Sequence, residues 1–154
     1  MKKYLVLIII VIGVVSMCFF KKEKEVITSP ITYMRFSYTT GYMVNSYVWY
    51  EVNVSDGEYV AKIKPNMKSE EEVYEVELSK EEVSSIEDML KEFDVYKWDG
   101  FNESDQDVLD GNSFSCSIKY SDGKSISASG YMRYPKNYRD VRDFLDNLFM
   151  SKIE

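Results

Sequence analysis

The stretch EVYEVELSKEEVSSIEDMLKEF, residues 72–93, changes its period part-way along. Up to Leu78 the alternation is two-fold. Tyr74, Val76 and Leu78 fall on one face of an extended chain, and Glu75 and Glu77 on the other. Beyond it, Val83, Ile86, Met89, Leu90 and Phe93 recur at helical spacing. Between the two lies Ser79 with Glu82 three residues on, the S-x-x-E pattern of a capping box. A half-buried strand therefore feeds a capped amphipathic helix, and the fold must contain both.

On the N-terminal side, ITYMRFSYTT (31–40), SYVWYEVNV (46–54) and YVAKIK (59–64) are dense in β-branched and aromatic residues. Asp56-Gly57 joins the last two as a short hairpin. On the C-terminal side, SFSCSIKY-SDGK-SISAS is a second hairpin. Phe114, Cys116, Ile118 and Tyr120 share one face of it, which makes Cys116 an inert thiol of the core. YPKNYRDVRDFLDNLFMSKIE ends the chain as a helix. Tyr138, Val141, Phe144, Leu145, Leu148 and Phe149 form its apolar stripe, and Arg139, Asp140, Arg142, Asp143 and Asp146 its wet face. The expected fold is α+β: an antiparallel sheet of about six strands with two helices packed on one face. VSDGE and YSDGK, each in a strands-then-helix block, hint at a duplicated half.

The chain begins MKKYLVLIIIVIGVVSMCFFKKEKE, with a basic start, an uncharged, largely apolar run from Tyr4 to Phe20 and a charged exit. This is the pattern of an export or anchor segment. The run sits at the lower limit of about 17 residues for a spanning helix. Two fates are open to residues 1–20: an N-terminal hydrophobic anchor helix that stays in the membrane, or cleavage before Cys18 with lipidation of its thiol. VVSMC resembles a bacterial lipobox, with Met17 where a small residue belongs. Residues 21–30, ending at Pro30, read as a linker, and 31–154 as the domain. A short basic N-tail stays in the cytoplasm, so the domain is expected on the extracytoplasmic side.

Composition removes several chemistries. The 154 residues include no histidine, which excludes Ser-His-Asp and Cys-His mechanisms within this chain and the usual zinc ligand. Two cysteines cannot build a disulfide framework. Beyond residue 20, 17 basic residues face 26 acidic ones, a net charge of −9 that repels nucleic acid.

Two features invite a functional reading. WDGFNESDQDVLDG (98–111) concentrates five carboxylates without a Lys or Arg. Asp99, Asp105, Asp107 and Asp110 are candidate Ca²⁺ ligands, because calcium takes six to eight oxygens from such loops. The spacing does not fit an EF-hand, since counting from Asp105 puts Leu109 at the fifth position and Asp110, not Gly, at the sixth. The competing reading is turn chemistry at Asp99-Gly100 and Asp110-Gly111. A carboxylate-pair hydrolase would need a cleft holding two of these acids. The second feature is aromatic: Tyr42, Tyr47, Trp49 and Tyr50 lie near one turn and Tyr131 and Tyr134 near another, with Tyr47, Trp49 and Tyr50 the candidate binding surface for a protein or sugar.

Trp98-Asp99-Gly100-Phe101, Leu109-Asp110-Gly111, Tyr120-Ser121-Asp122-Gly123 and the run from Ala128-Ser129-Gly130 to Pro135 together resemble a family of small bacterial exported or lipoprotein-like domains with no assigned function. The resemblance covers the last third to half of the chain. It implies an envelope location and carries over no catalytic residue. The expectation is a membrane-tethered, non-enzymatic domain that binds a protein or an envelope component.

Overall fold

The computed structural model describes residue 24 and residues 26–39, 46–66 and 72–153. The apolar run of the N-terminus, with the expected anchor helix and Cys18, lies outside them. Among the described residues no helix is long and apolar enough to cross a membrane.

Seven strands form one sheet: β1 (Ile31–Thr39), β2 (Tyr47–Ser55), β3 (Glu58–Lys64), β4 (Tyr74–Glu77), β5 (Asn102–Ser104), β6 (Ser113–Tyr120) and β7 (Ser125–Tyr131). Their order is β4-β3-β2-β1-β6-β7-β5. Every pairing is antiparallel except β5 with β7. Helix α1 (Lys80–Glu92) follows β4, and α2 (Tyr138–Met150) follows β7. A 3-10 turn, Val95–Trp98, leads from α1 to β5. The two hairpins lie on either side of β1, each in a block that ends in a helix.

The architecture is therefore α+β, with one strand more than the sequence pattern suggests. The extra strand is β5, inside the acidic stretch. It has no apolar residue and is exposed throughout, so no periodicity announces it. Hydrogen bonds seat it: the Ser129 amide donates to the Phe101 carbonyl and the Asp105 amide to the Tyr131 carbonyl, each at 2.9 Å, and the Ser129 hydroxyl donates to Asn102 Oδ1 at 3.2 Å.

The switch of period at residues 78–79 is real. Ser79 Oγ accepts from the Glu82 amide at 3.2 Å, and the Ser79 amide donates to the Glu82 carboxylate at 2.8 Å. Val83, Ile86, Met89 and Leu90 are buried. At the first hairpin, Asp56 (φ 52°) and Gly57 (φ 83°) both take the left-handed region, which matches the twist of the flanking strands.

Strand pairing explains the core. Met34, Phe36 and Tyr38 of β1 align with Val52, Tyr50 and Val48 of β2 and with Ile118, Cys116 and Phe114 of β6. All nine are buried on one sheet face. The helices cover that face: Tyr50 stacks on Phe149 of α2 at 4.7 Å, and Phe114 meets Tyr138 at 4.8 Å. Each such aliphatic or aromatic side chain withdrawn from water contributes about 1.5–3 kcal/mol. Cys116 sits in this layer as expected, and burial pushes its thiol up to about 12.

The segment before β1 is bound to the body. Ile27 packs against the core cluster. Ser29 Oγ donates to Asp122 at 2.7 Å, the Ser121 amide donates to the Pro30 carbonyl, and the Ile31 amide donates to Glu87. The chain thus enters at one pole of the sheet, beside the 121–124 turn. Thr39, at the far end of β1, lies about 26 Å away by strand rise.

Candidate functional site

At the far pole three connections meet: the end of β1, the approach to β6 and the turn from β7 into α2. Their side chains line an open cleft of about 420 Å³ formed by Tyr38, Thr39, Asn112, Met132, Tyr134, Tyr138, Arg139 and Arg142. It carries two guanidinium groups, three phenols and no carboxylate on its lining.

The local sequence builds it step by step. Gly130 ends the core-facing run of β7, and a Cβ there would collide with the Arg133 carbonyl and the Phe114 ring. The chain can therefore fold back tightly at this point. Met132 follows with φ 55°, a conformation costly for a non-glycine residue. It is held by its amide, which donates to the Asn112 carbonyl at 2.9 Å. Tyr134 then stacks on Tyr138 at 4.5 Å and 25°, and its hydroxyl donates to the same Asn112 carbonyl at 3.2 Å. Trp98 supports the layer from below. Its ring lies 6.4 Å from Tyr138 and 6.2 Å from Phe114, and its Nε1 donates to the Lys136 carbonyl at 3.0 Å.

The wall on the β1 side is fixed by Asp146. The Tyr38 and Tyr50 hydroxyls both donate to its Oδ1, at 2.7 and 2.6 Å. Burial, and then these bonds, push both phenols well above the usual tyrosine range, so they remain neutral donors. The sequence pattern assigned Asp146 to the wet face of the last helix. It turns inward instead, because two phenols on the core face of the sheet need an acceptor. Arg142 lies 5.8 Å above the Tyr38 ring and pairs with Asp143 at 2.6 Å, with Asp146 at 3.8 Å. Arg139 is exposed and makes no ion pair among the described residues.

The acidic stretch is arranged differently. Asp99 Oδ1 accepts from the Ser127 amide at 3.1 Å. Asp105 Oδ1 accepts from the Asp107 amide at 3.3 Å, and its Oδ2 pairs with Arg133 at 3.0 Å. Asp107 and Asp110 are exposed. Among the described residues no three acids gather where an ion could join them. Asp99 and Asp105 serve turn and strand-edge backbone, which is the turn-chemistry reading of this loop.

The aromatic trio does not form one surface. Tyr50 faces the helices and is fully buried, because neighbours on a strand point to opposite faces. Tyr47 and Trp49 share the face opposite the helices, but Trp49 is only 9% exposed and lies under the Arg35 guanidinium at 4.4 Å. Arg35 is itself fixed by Glu51 at 2.8 Å. That cluster is a packed patch, with its cation already paired.

Sequence reasoning singled out Tyr134 but missed the cleft it lines. Its residues come from positions 38–39, 112 and 132–142, and only pairing of β1 with β6 and of β6 with β7 unites them. One signal was present. Residues 131–142, YMRYPKNYRDVR, carry four basic residues and one acid in an otherwise acidic chain. Searches of protein-family models, curated proteins and solved structures find no match to this chain.

Proposed function

We propose that this chain is a membrane-tethered, extracytoplasmic binding domain, without catalytic activity, that holds a protein partner at the 131–142 pole. Among bacterial proteins we place it with the small exported domains its sequence resembles. The observation that carries the binding reading is the cleft itself, with three tyrosines, two arginines and a methionine around one opening. Tyr, Arg and Met are the residues that concentrate at the centres of protein interfaces. Leu109, Met132 and Tyr134, 91%, 37% and 38% exposed, are three of the five large hydrophobic side chains that stand exposed among the described residues. All three belong to two of the three connections that meet at this pole.

The tethered orientation supports the same reading. Only residues 21–23 separate the apolar run from Lys24, whose ammonium donates to the Lys97 and Asp99 carbonyls. That is a reach of about 14 Å at full extension. The chain enters at the pole opposite the cleft, so a tether leaves the cleft facing outward.

The test is topology in intact cells. Leu109→Cys places a thiol at the most exposed side chain of this pole, against a background in which Cys116 is buried. A membrane-impermeant maleimide labels the variant in intact cells, and the label sediments with the membrane fraction. Labelling only after lysis, or label released free of the membrane, overturns the tethered reading.

A further inference from the structure

The chemistry of the cleft specifies the partner more closely than the word protein does. The body beyond residue 20 has a net charge of −9, so an acidic partner is repelled over most of the surface. The 131–142 connection reverses that sign locally, with Arg133, Lys136, Arg139 and Arg142 against Asp140. Two of these cations differ from the rest. Arg133 is committed to Asp105, and Lys136 lies outside the lining of the cleft. Arg142 and Arg139 line it, and Arg139 has no acid of its own among the described residues. Beside them, Tyr134 stacked on Tyr138 offers a flat apolar face, and Met132 forms an adaptable rim.

We propose that the cleft captures an acidic peptide segment of a partner protein, in which a carboxylate stands next to an aromatic or aliphatic residue. This rests on the reading of the cleft as a protein-binding site. The Arg139 guanidinium takes the carboxylate through its planar fork, which matches two carboxylate oxygens at once. Arg142, already paired with Asp143 and Asp146, holds Tyr38 from above and offers no free fork. The neighbouring side chain lies against Tyr134 and Met132. Attraction is confined to the Arg139 side of the cleft, because the acidic 99–111 connection meets the same pole, and that attraction weakens as salt rises.

The experiment uses the full chain in detergent micelles and a fluorescein-labelled peptide, Gly-Glu-Phe-Glu-Gly, with Gly-Gln-Phe-Gln-Gly as the neutral counterpart. Fluorescence anisotropy is expected to give at least tenfold tighter binding for the Glu peptide, and weaker binding from low to high salt. Arg139→Gln is expected to cost about tenfold, the value of one charge-assisted fork, and Arg139→Lys to restore part of it. Arg139 is exposed, so an unchanged melting temperature shows that each variant is folded. Equal binding of the two peptides, no saturable binding, or indifference to Arg139→Gln overturns the proposal. So does saturable binding of inorganic polyphosphate without binding of the peptide, which would make the site one for a phosphate polymer. These outcomes do not depend on where the chain lies in a cell, so they fail separately from the topology test.

Discussion

Two connections of this protein meet at one pole and teach opposite lessons. Residues 99–111 carry five acids and no base, and residues 131–142 carry four bases and one acid. The acidic stretch catches the eye, yet two of its carboxylates are occupied: Asp99 by the Ser127 amide, Asp105 by Asp107 and Arg133. The other two candidate ligands, Asp107 and Asp110, stand in solvent. The basic stretch is less conspicuous, but it turns two guanidiniums and two phenols into one cleft. Density of charge marks a solvated loop as readily as a site. Convergence of side chains with an unpaired charge marks a place where a ligand adds something.

The sharpest way to break this contrast is Trp98→Ala. Trp98 closes one connection and floors the other, so its loss should cost about 4 kcal/mol. Urea denaturation reads this directly. A cost below about 1 kcal/mol, at the scale of a surface change, would mean the aromatic layer is not rigid and the cleft is not preformed. Asp146→Ala comes next. It strips the acceptor from two phenols, one of them fully buried, and should cost about 3 kcal/mol. Phe at both Tyr38 and Tyr50 in that background should recover part of the loss, because it removes the unpaired hydroxyls as well.

Ser79→Ala tests a device far from both connections and should cost about 1 kcal/mol, the usual value of a helix N-cap. Its partner Glu82 adds a pH signature. The Lys152 ammonium, then the Ser79 amide, hold the Glu82 carboxyl below the usual glutamate range. A folded pKa below the unfolded one gives stability that is present above the unfolded value of about 4.3 and lost as pH falls through the folded value. Melts from pH 6 to pH 3 should therefore show a shallower acid limb for Glu82→Gln than for the parent chain. Parallel limbs would remove Glu82 from the account of acid stability.

The smallest effect belongs to the acidic connection. Asp105→Ala with Asp107→Ala should change stability by no more than about 0.5 kcal/mol, since it removes one exposed ion pair and one long turn bond. A cost of several kcal/mol would restore this loop to a structural or functional role that its geometry does not suggest.

Much of the fold can be read from residues 72–93 outward, because periodicity reports which face is buried and Ser79, Asp56 and Gly57 mark the ends of elements. The mixed class, both hairpins and the apolar stripes of both helices follow from that logic. Strand β5 does not, since Asn102, Glu103 and Ser104 bury no apolar side chain in the core. Nor does Asp146, which resembles its exposed neighbours Asp140 and Asp143 in sequence and differs only in having Tyr38 and Tyr50 opposite it. The cleft was the least readable part. Thr39 and Arg139 are a hundred positions apart, and pairing of β1, β6 and β7 brings their surroundings together. The trio Tyr47, Trp49 and Tyr50 shows the converse, a compact sequence cluster that strand alternation splits between two faces.

The central claim is that ligand recognition lies at the basic, aromatic cleft and not at the acidic loop. A thermal melt of the full chain tests both at once, with millimolar CaCl₂ in one arm and a saturating concentration of the Gly-Glu-Phe-Glu-Gly peptide in the other. A ligand that binds only the folded state raises the midpoint by mass action. The account predicts a rise with peptide that Arg139→Gln abolishes, and none with calcium. A rise with calcium that Asp105→Ala/Asp107→Ala abolishes, with no response to peptide, would contradict it.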